Sequence, residues 1–248
     1  MRVIFAALAA GLVACSAPGV AATAVPRPTP TPTLFITTTA PTPAPSPNPN
    51  ALRYVAVGAS DTVGVGASDP RTGSWPARVA AKLPTGSDYL NLGVSGSQAA
   101  QASREQVPPA LSRLPQLVTV WLAVNDLNAN VSVTDYVAAL RSVVEPLVSR
   151  TAARVFVGNV PDLRPLPAYA GTDKAALLVR INAYNAAIGA LAGAFPGRVT
   201  VVDLFTGSAA LVSTMTVSAD GFHPSDSGYG LIADRFVKAI GDAGISVR

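Results

Sequence analysis

Five short apolar or β-branched runs recur along the chain, at Tyr54–Gly58, Tyr89–Gly93, Leu117–Ala123, Arg154–Asn159 and Val199–Leu204. Longer segments with helical spacing of apolar positions lie between and after them: Trp75–Leu83, Ser97–Leu114 with a break at Pro108-Pro109, Val133–Arg150, Thr172–Phe195 and Ser225–Ala243. Thr134 and Thr172 are candidate N-caps, and Pro146 is expected to kink or end its helix. Strands that alternate with helices predict a parallel sheet covered on both faces, a doubly wound α/β domain. In such a domain ligands bind beyond the C-terminal ends of the strands, so the polar residues just after each strand are the ones to read.

The first fifty residues do not follow this pattern. Met1-Arg2 leads into the apolar run Val3–Ala14, of signal-peptide length, and the run ends Leu12-Val13-Ala14-Cys15. Small residues before a cysteine resemble a bacterial lipoprotein signal, so residues 1–14 are expected to be a signal peptide and Cys15 a lipidated anchor on the extracytoplasmic face of the envelope, with an ordinary secretory signal and a secreted protein as the alternative. From Ser16 to Asn50, ten prolines fall within 35 residues among Thr, Ala and Ser. Proline removes backbone donors and favours extended polyproline II, so residues 15–50 read as a Pro/Thr-rich disordered linker, a semi-rigid stalk interrupted by Leu34-Phe35-Ile36. The folded domain is expected over residues 51–248.

Composition narrows the chemistry. The chain has 248 residues, 49% hydrophobic and 13% charged, enough for one well-buried domain plus an appendage. Its net charge of +4 becomes +2 after residue 50, too weak for a polyanion-binding face, so no nucleic-acid partner is expected. One cysteine excludes an intrachain disulfide framework, and a single histidine without a second thiol excludes a Cys/His zinc site. Any imidazole chemistry must use His223.

Ser60 follows the first strand in Gly58-Ala59-Ser60-Asp61-Thr62. A serine hydroxyl needs a base, and His223 is the only imidazole present. Asp220, three residues before it, can fix the tautomer that leaves Nε2 free to act as that base. Acyl transfer also needs donors aimed at the developing oxyanion. Gly93, after the second strand, and Asn125, after the third, are candidates, with the Ser60 N–H as a third. An α/β-hydrolase elbow would need Gly-x-Ser-x-Gly, which neither Ser60 nor Ser95 satisfies. Asp61, Asp126 and Asp203 are read as caps and loop acceptors, and no metal or cofactor is expected.

This ordered set resembles the SGNH hydrolase superfamily, the GDSL-type esterases and lipases. The family's blocks supply a Ser, a Gly, an Asn and an Asp-x-x-His, matched here by Ser60, Gly93, Asn125 and Asp220 with His223. The similarity covers residues 53 to 245 and includes Gly64, Gly66 and Ile181-Asn182-Ala183-Tyr184-Asn185. It implies a three-layer α/β/α flavodoxin-like sandwich with a mainly five-stranded sheet, and metal-free serine ester hydrolysis through an acyl-enzyme on Ser60. Two positions depart from the pattern: Ala59 stands where the family has an acid, and Ala123 where it has glycine.

The expected function is thus an extracytoplasmic serine ester hydrolase acting on a lipid, a small ester or an acetylated glycan. An O-acetyl esterase acting on cell-wall or exported polysaccharide is the nearest alternative. A surface binding module without turnover is the alternative of another class. The pocket loops, Ser68–Ser74 and Pro161–Thr172, carry little chemical identity.

Overall fold

A computed structural model describes residues 48–248. The expected signal peptide, Cys15 and most of the linker lie outside the described residues. Within them the strands are β1 (Arg53–Gly58), β2 (Asp88–Asn91), β3 (Leu117–Trp121), β4 (Arg154–Gly158) and β5 (Val199–Val202). All pair in parallel, in the order β2-β1-β3-β4-β5. The helices are α1 (Ser60–Val63), α2 (Pro70–Gly73), α3 (Trp75–Lys82), α4 (Ala99–Glu105), α5 (Val107–Ser112), α6 (Val124–Asn128), α7 (Val133–Arg150), α8 (Lys174–Gly193) and α9 (Asp226–Asp242).

Successive strand side chains point to opposite faces of the sheet, and that alternation builds two cores. Val55, Val57, Val118, Val120, Val155 and Val157 pack on one face beneath α4, α5, α7 and α8. Tyr54, Ala56, Leu117, Trp121, Phe156 and Val202 pack on the other beneath α3 and α9. The second core is the more aromatic. Trp75 is fully buried, stacks on Phe236 at 4.2 Å, and meets Trp121 edge-on at 6.2 Å. The result is the three-layer α/β/α architecture with five parallel strands.

Helix ends differ from expectation where a better side chain is available. Ser132, two residues before Thr134, caps α7 by accepting from Asp135 N at 3.1 Å. Asp173 takes the cap expected of Thr172, because its carboxylate accepts from both Ala175 N and Ala176 N. Pro146 does not end its helix, which continues to Arg150. Proline there removes one backbone donor, whereas Val143, Val144, Leu147 and Val148 are all buried around it, and that burial outweighs the loss. The break in the second segment falls at Gln106, just before the proline pair, which sits in the first turn of α5, where a missing N–H removes no helical hydrogen bond.

Phe236 joins α9 to the tryptophan stack and is fully buried. Phe236→Ala is expected to lower the unfolding free energy by about 3–5 kcal/mol, measured by urea titration of the domain.

Candidate active site

The site forms at the C-terminal edge of the sheet. β1 is halted by Gly58, where an added Cβ would lie 2.0 Å from Thr62 Oγ1 and 2.8 Å from the Trp121 carbonyl. The chain then turns into the short helix α1, with Ser60 at its first position and only 7% exposed. A residue there has no intrahelical acceptor for its N–H, which leaves that donor for other use.

Gln106 holds this turn in place. Its Oε1 accepts from Gly58 N and its Nε2 donates to Gly58 O, both at 2.9 Å, so one buried side-chain amide takes the place of a neighbouring strand. Asn91 Nδ2 adds a bond to Thr62 O at 2.7 Å. These bonds secure the serine loop although Ala59 offers no carboxylate for the purpose.

His223 reaches Ser60 from 163 residues away in sequence: Nε2 lies 2.9 Å from Ser60 Oγ. Nδ1 lies 2.5 Å from Asp220 Oδ2. An ionised carboxylate only accepts, so Nδ1 carries the proton and Nε2 faces the hydroxyl as acceptor. Partial burial alone would raise the Asp220 pKa. Hydrogen bonds from His223, Phe222 N, Ser218 Oγ and His223 N outweigh burial and hold it well below the usual carboxylate range.

The histidine segment is itself a tight loop. Ser218 N donates to His223 O and Ser225 N to Thr216 O, and Phe222 meets the imidazole edge-on at 4.8 Å. Gly66 lets the serine side approach this loop. Its φ is +95°, and a Cβ there would meet Pro224 O at 2.5 Å.

The expected oxyanion donors fare unequally. Asn125 stands in α6, with Nδ2 donating to Ser97 O at 3.1 Å, so its second amide hydrogen is not used in that bond. Gly93 does not match its expected role, because its N–H is donated to Asn91 Oδ1 at 2.9 Å. It is instead packed against α1, where a Cβ would meet Thr62 and Val63 N at 3.0 Å. Gly96 lies in the turn closed by Ser97 N to Val94 O, and that turn is joined to Gly58 through Val94 N. Gly96 is exposed with φ +78°, and its N–H makes no hydrogen bond among the described residues. Sequence reading passed over Gly96 because both glycines follow the same strand. Gln106 carried no signal, because it lies within a helical run.

Of the three acids read as caps, two behave so. Asp126 accepts from Ala99 N at 3.0 Å, and Asp203 accepts from Phe205 N and Thr206 N. Asp61 does not: among the described residues no other residue donates to its carboxyl, which only its own backbone N–H approaches. It lines a cavity of about 120 Å³ with Trp121, Val124, Leu204 and Phe222. Burial raises its pKa to about 6, against the attraction of His223, and the like charge of Asp220 adds to the rise. Among the described residues, no three His, Cys, Asp or Glu side chains group as a metal site would.

The sequence profile of the GDSL-like lipase/acylhydrolase family matches residues 56–231. The chain belongs to that family. Membership makes it a hydrolase of the esterase and acylhydrolase class. No curated protein matches in sequence. Solved structures share the fold. That of TesA has a TM-score of 0.60 at 22% identity, covering 77% of this chain and 99% of its own. The acetylxylan esterase Axe2 from Geobacillus stearothermophilus, solved as a catalytic mutant, has 0.63 at 18%, covering 77% and 94%. A family 3 carbohydrate esterase from Clostridium thermocellum has 0.58 at 20%, covering 77% and 96%.

Because the fold favours the protonated form of Asp61, ionising it destabilises the native state as pH rises from about 4, the free carboxyl value, through about 6. Asp61→Asn is therefore expected to be more stable than the parent by up to about 3 kcal/mol near pH 8, with the gain vanishing near pH 4. Urea unfolding at both pH values measures it.

Proposed function

We propose that the protein is an exported serine ester hydrolase in which Ser60 forms an acyl-enzyme. The observation that carries this reading is the unbroken chain Asp220, His223, Ser60, joined at 2.5 and 2.9 Å. His223 Nε2 takes the hydroxyl proton as Ser60 Oγ bonds to the substrate carbonyl carbon, and Asp220 stabilises the imidazolium that forms. The oxyanion is received by the N–H groups of Ser60 and Gly96 and by the Asn125 amide, with Gly93 packing behind the nucleophile turn. Collapse of the tetrahedral intermediate expels the alcohol, which takes its proton from His223. Water then adds to the acyl carbonyl by the same route and frees the acid.

The principal test is chemical. Ser60→Ala is expected to abolish both fluorophosphonate labelling and hydrolysis of short-chain nitrophenyl esters. Asn125→Ala is expected to retain labelling while kcat falls by about a hundredfold to a thousandfold. Labelling that persists in Ser60→Ala would overturn the assignment.

A second reading within the same chemistry, removal of acetyl groups from a glycan, draws on the acetylxylan esterase that shares the fold. Acetate release from acetylated xylan separates it from hydrolysis of other esters. Export and anchoring rest on Val3–Ala14 followed by Cys15. In a bacterial host that processes lipoproteins, the full chain is expected to fractionate with membranes and incorporate labelled palmitate. Cys15→Ala is expected to lose both, read by fractionation and autoradiography.

A further inference from the structure

Asp61 is the one acid beside the triad that the mechanism leaves without work. It follows the nucleophile directly, so its Cα lies about 3.8 Å from that of Ser60. It opens onto a cavity whose wall at the triad end includes Phe222 and Pro224, the residues on either side of His223. The cavity is otherwise mainly apolar.

The charges around that wall do not balance. His223 is committed to Asp220 and Ser60. Arg235, on the α9 wall, directs its guanidinium to the carbonyls of Asp203 and Thr206. Asp162 is paired with Arg164. The nearby phenols are also engaged, Tyr229 with Val65 O and Tyr169 with Asn128 Oδ1. The charges that act on Asp61 are those of His223 and Asp220, Arg235 is not among them, and no cation among the described residues pairs with the Asp61 carboxyl. An ionised carboxylate in apolar surroundings without a counter-charge is unfavourable, and a ligand cation relieves it. Trp121 and Phe222 line the same cavity, and aromatic rings are the side chains that quaternary ammonium groups prefer.

We infer that Asp61 is a specificity-determining residue that makes the cavity beside the triad a subsite for a positively charged group, so that the preferred substrates are esters carrying an ammonium. This rests on the ester-hydrolase reading of the site. The ammonium moves into the cavity as the carbonyl meets Ser60, and no covalent step beyond the acyl transfer is involved.

The test compares matched pairs on the intact protein near pH 8. Butyrylcholine is set against its uncharged isostere with a tert-butyl carbon in place of the ammonium nitrogen, which places the charge on the alcohol half. The nitrophenyl ester of trimethylammoniobutyrate is set against its tert-butyl isostere, which places it on the acyl half. In at least one pair the cationic ester is expected to have a kcat/KM higher by about tenfold or more. In Asp61→Asn the ratio is expected to fall towards one, whatever the absolute rates. Calorimetric binding of tetramethylammonium to Ser60→Ala, compared with Ser60→Ala/Asp61→Asn, gives a readout without turnover, and binding is expected only when Asp61 is present.

Neutral esters hydrolysed with no cationic preference in either pair would overturn the inference and leave the hydrolase reading intact. Tetramethylammonium bound through Asp61 without hydrolysis of any ester would overturn the hydrolase reading, and with it the preference for ammonium esters, and leave only the cation site. A ratio unchanged in Asp61→Asn also overturns the assignment to that residue.

Discussion

At the C-terminal rim of a parallel sheet the strands stop at different heights, and the backbone groups left over there lie among apolar side chains. A buried N–H or C=O without a partner is unfavourable by about 1–3 kcal/mol, so each must find one. Here side-chain amides supply several. Gln106 bonds both groups of Gly58. Asn185 does the same for Val160, at 2.8 and 2.9 Å, and Asn159 Oδ1 accepts from Leu204 N at 2.7 Å. The position of the nucleophile turn follows from the first of these bonds.

The nucleophile turn is thus fixed from behind, by Gln106 and Asn91, without any group that takes part in the chemistry. The histidine loop is fixed by its own backbone bonds and by Asp220, which accepts from two amides as well as from the imidazole. Two independently rigid loops meet across the gap that Gly66 keeps open. Asp61 departs from this economy. It adds an acid without a paired cation where burial favours the uncharged form, and a residue that works against stability beside a reactive group is the usual mark of a trade made for function.

Reading the sequence located all five strands and, in five segments, the six helices α3, α4, α5, α7, α8 and α9, because continuous apolar runs and helical spacing are strong signals. It missed α1, α2 and α6, each of four or five residues, which are too short to show a period. Ser60, Asp220, His223 and Asn125 stood out because each follows a strand or sits in a tight motif. Gly93 stood out in place of Gly96, because the choice depends on which N–H Asn91 engages. The roles of Gln106 and Asp61 were equally hidden, since one depends on a contact 48 residues away and the other on the missing partner of a common residue.

The chain's two tryptophans share one core, and only one of them borders the cavity. Trp75 is sealed against Phe236, while Trp121 touches both its neighbour and the space beside Asp61. Light absorbed by either indole can pass to the other over so short a gap. The protein's intrinsic emission is therefore a built-in optical gauge of that space, and a quencher or guest entering it alters the signal of the pair without any attached dye.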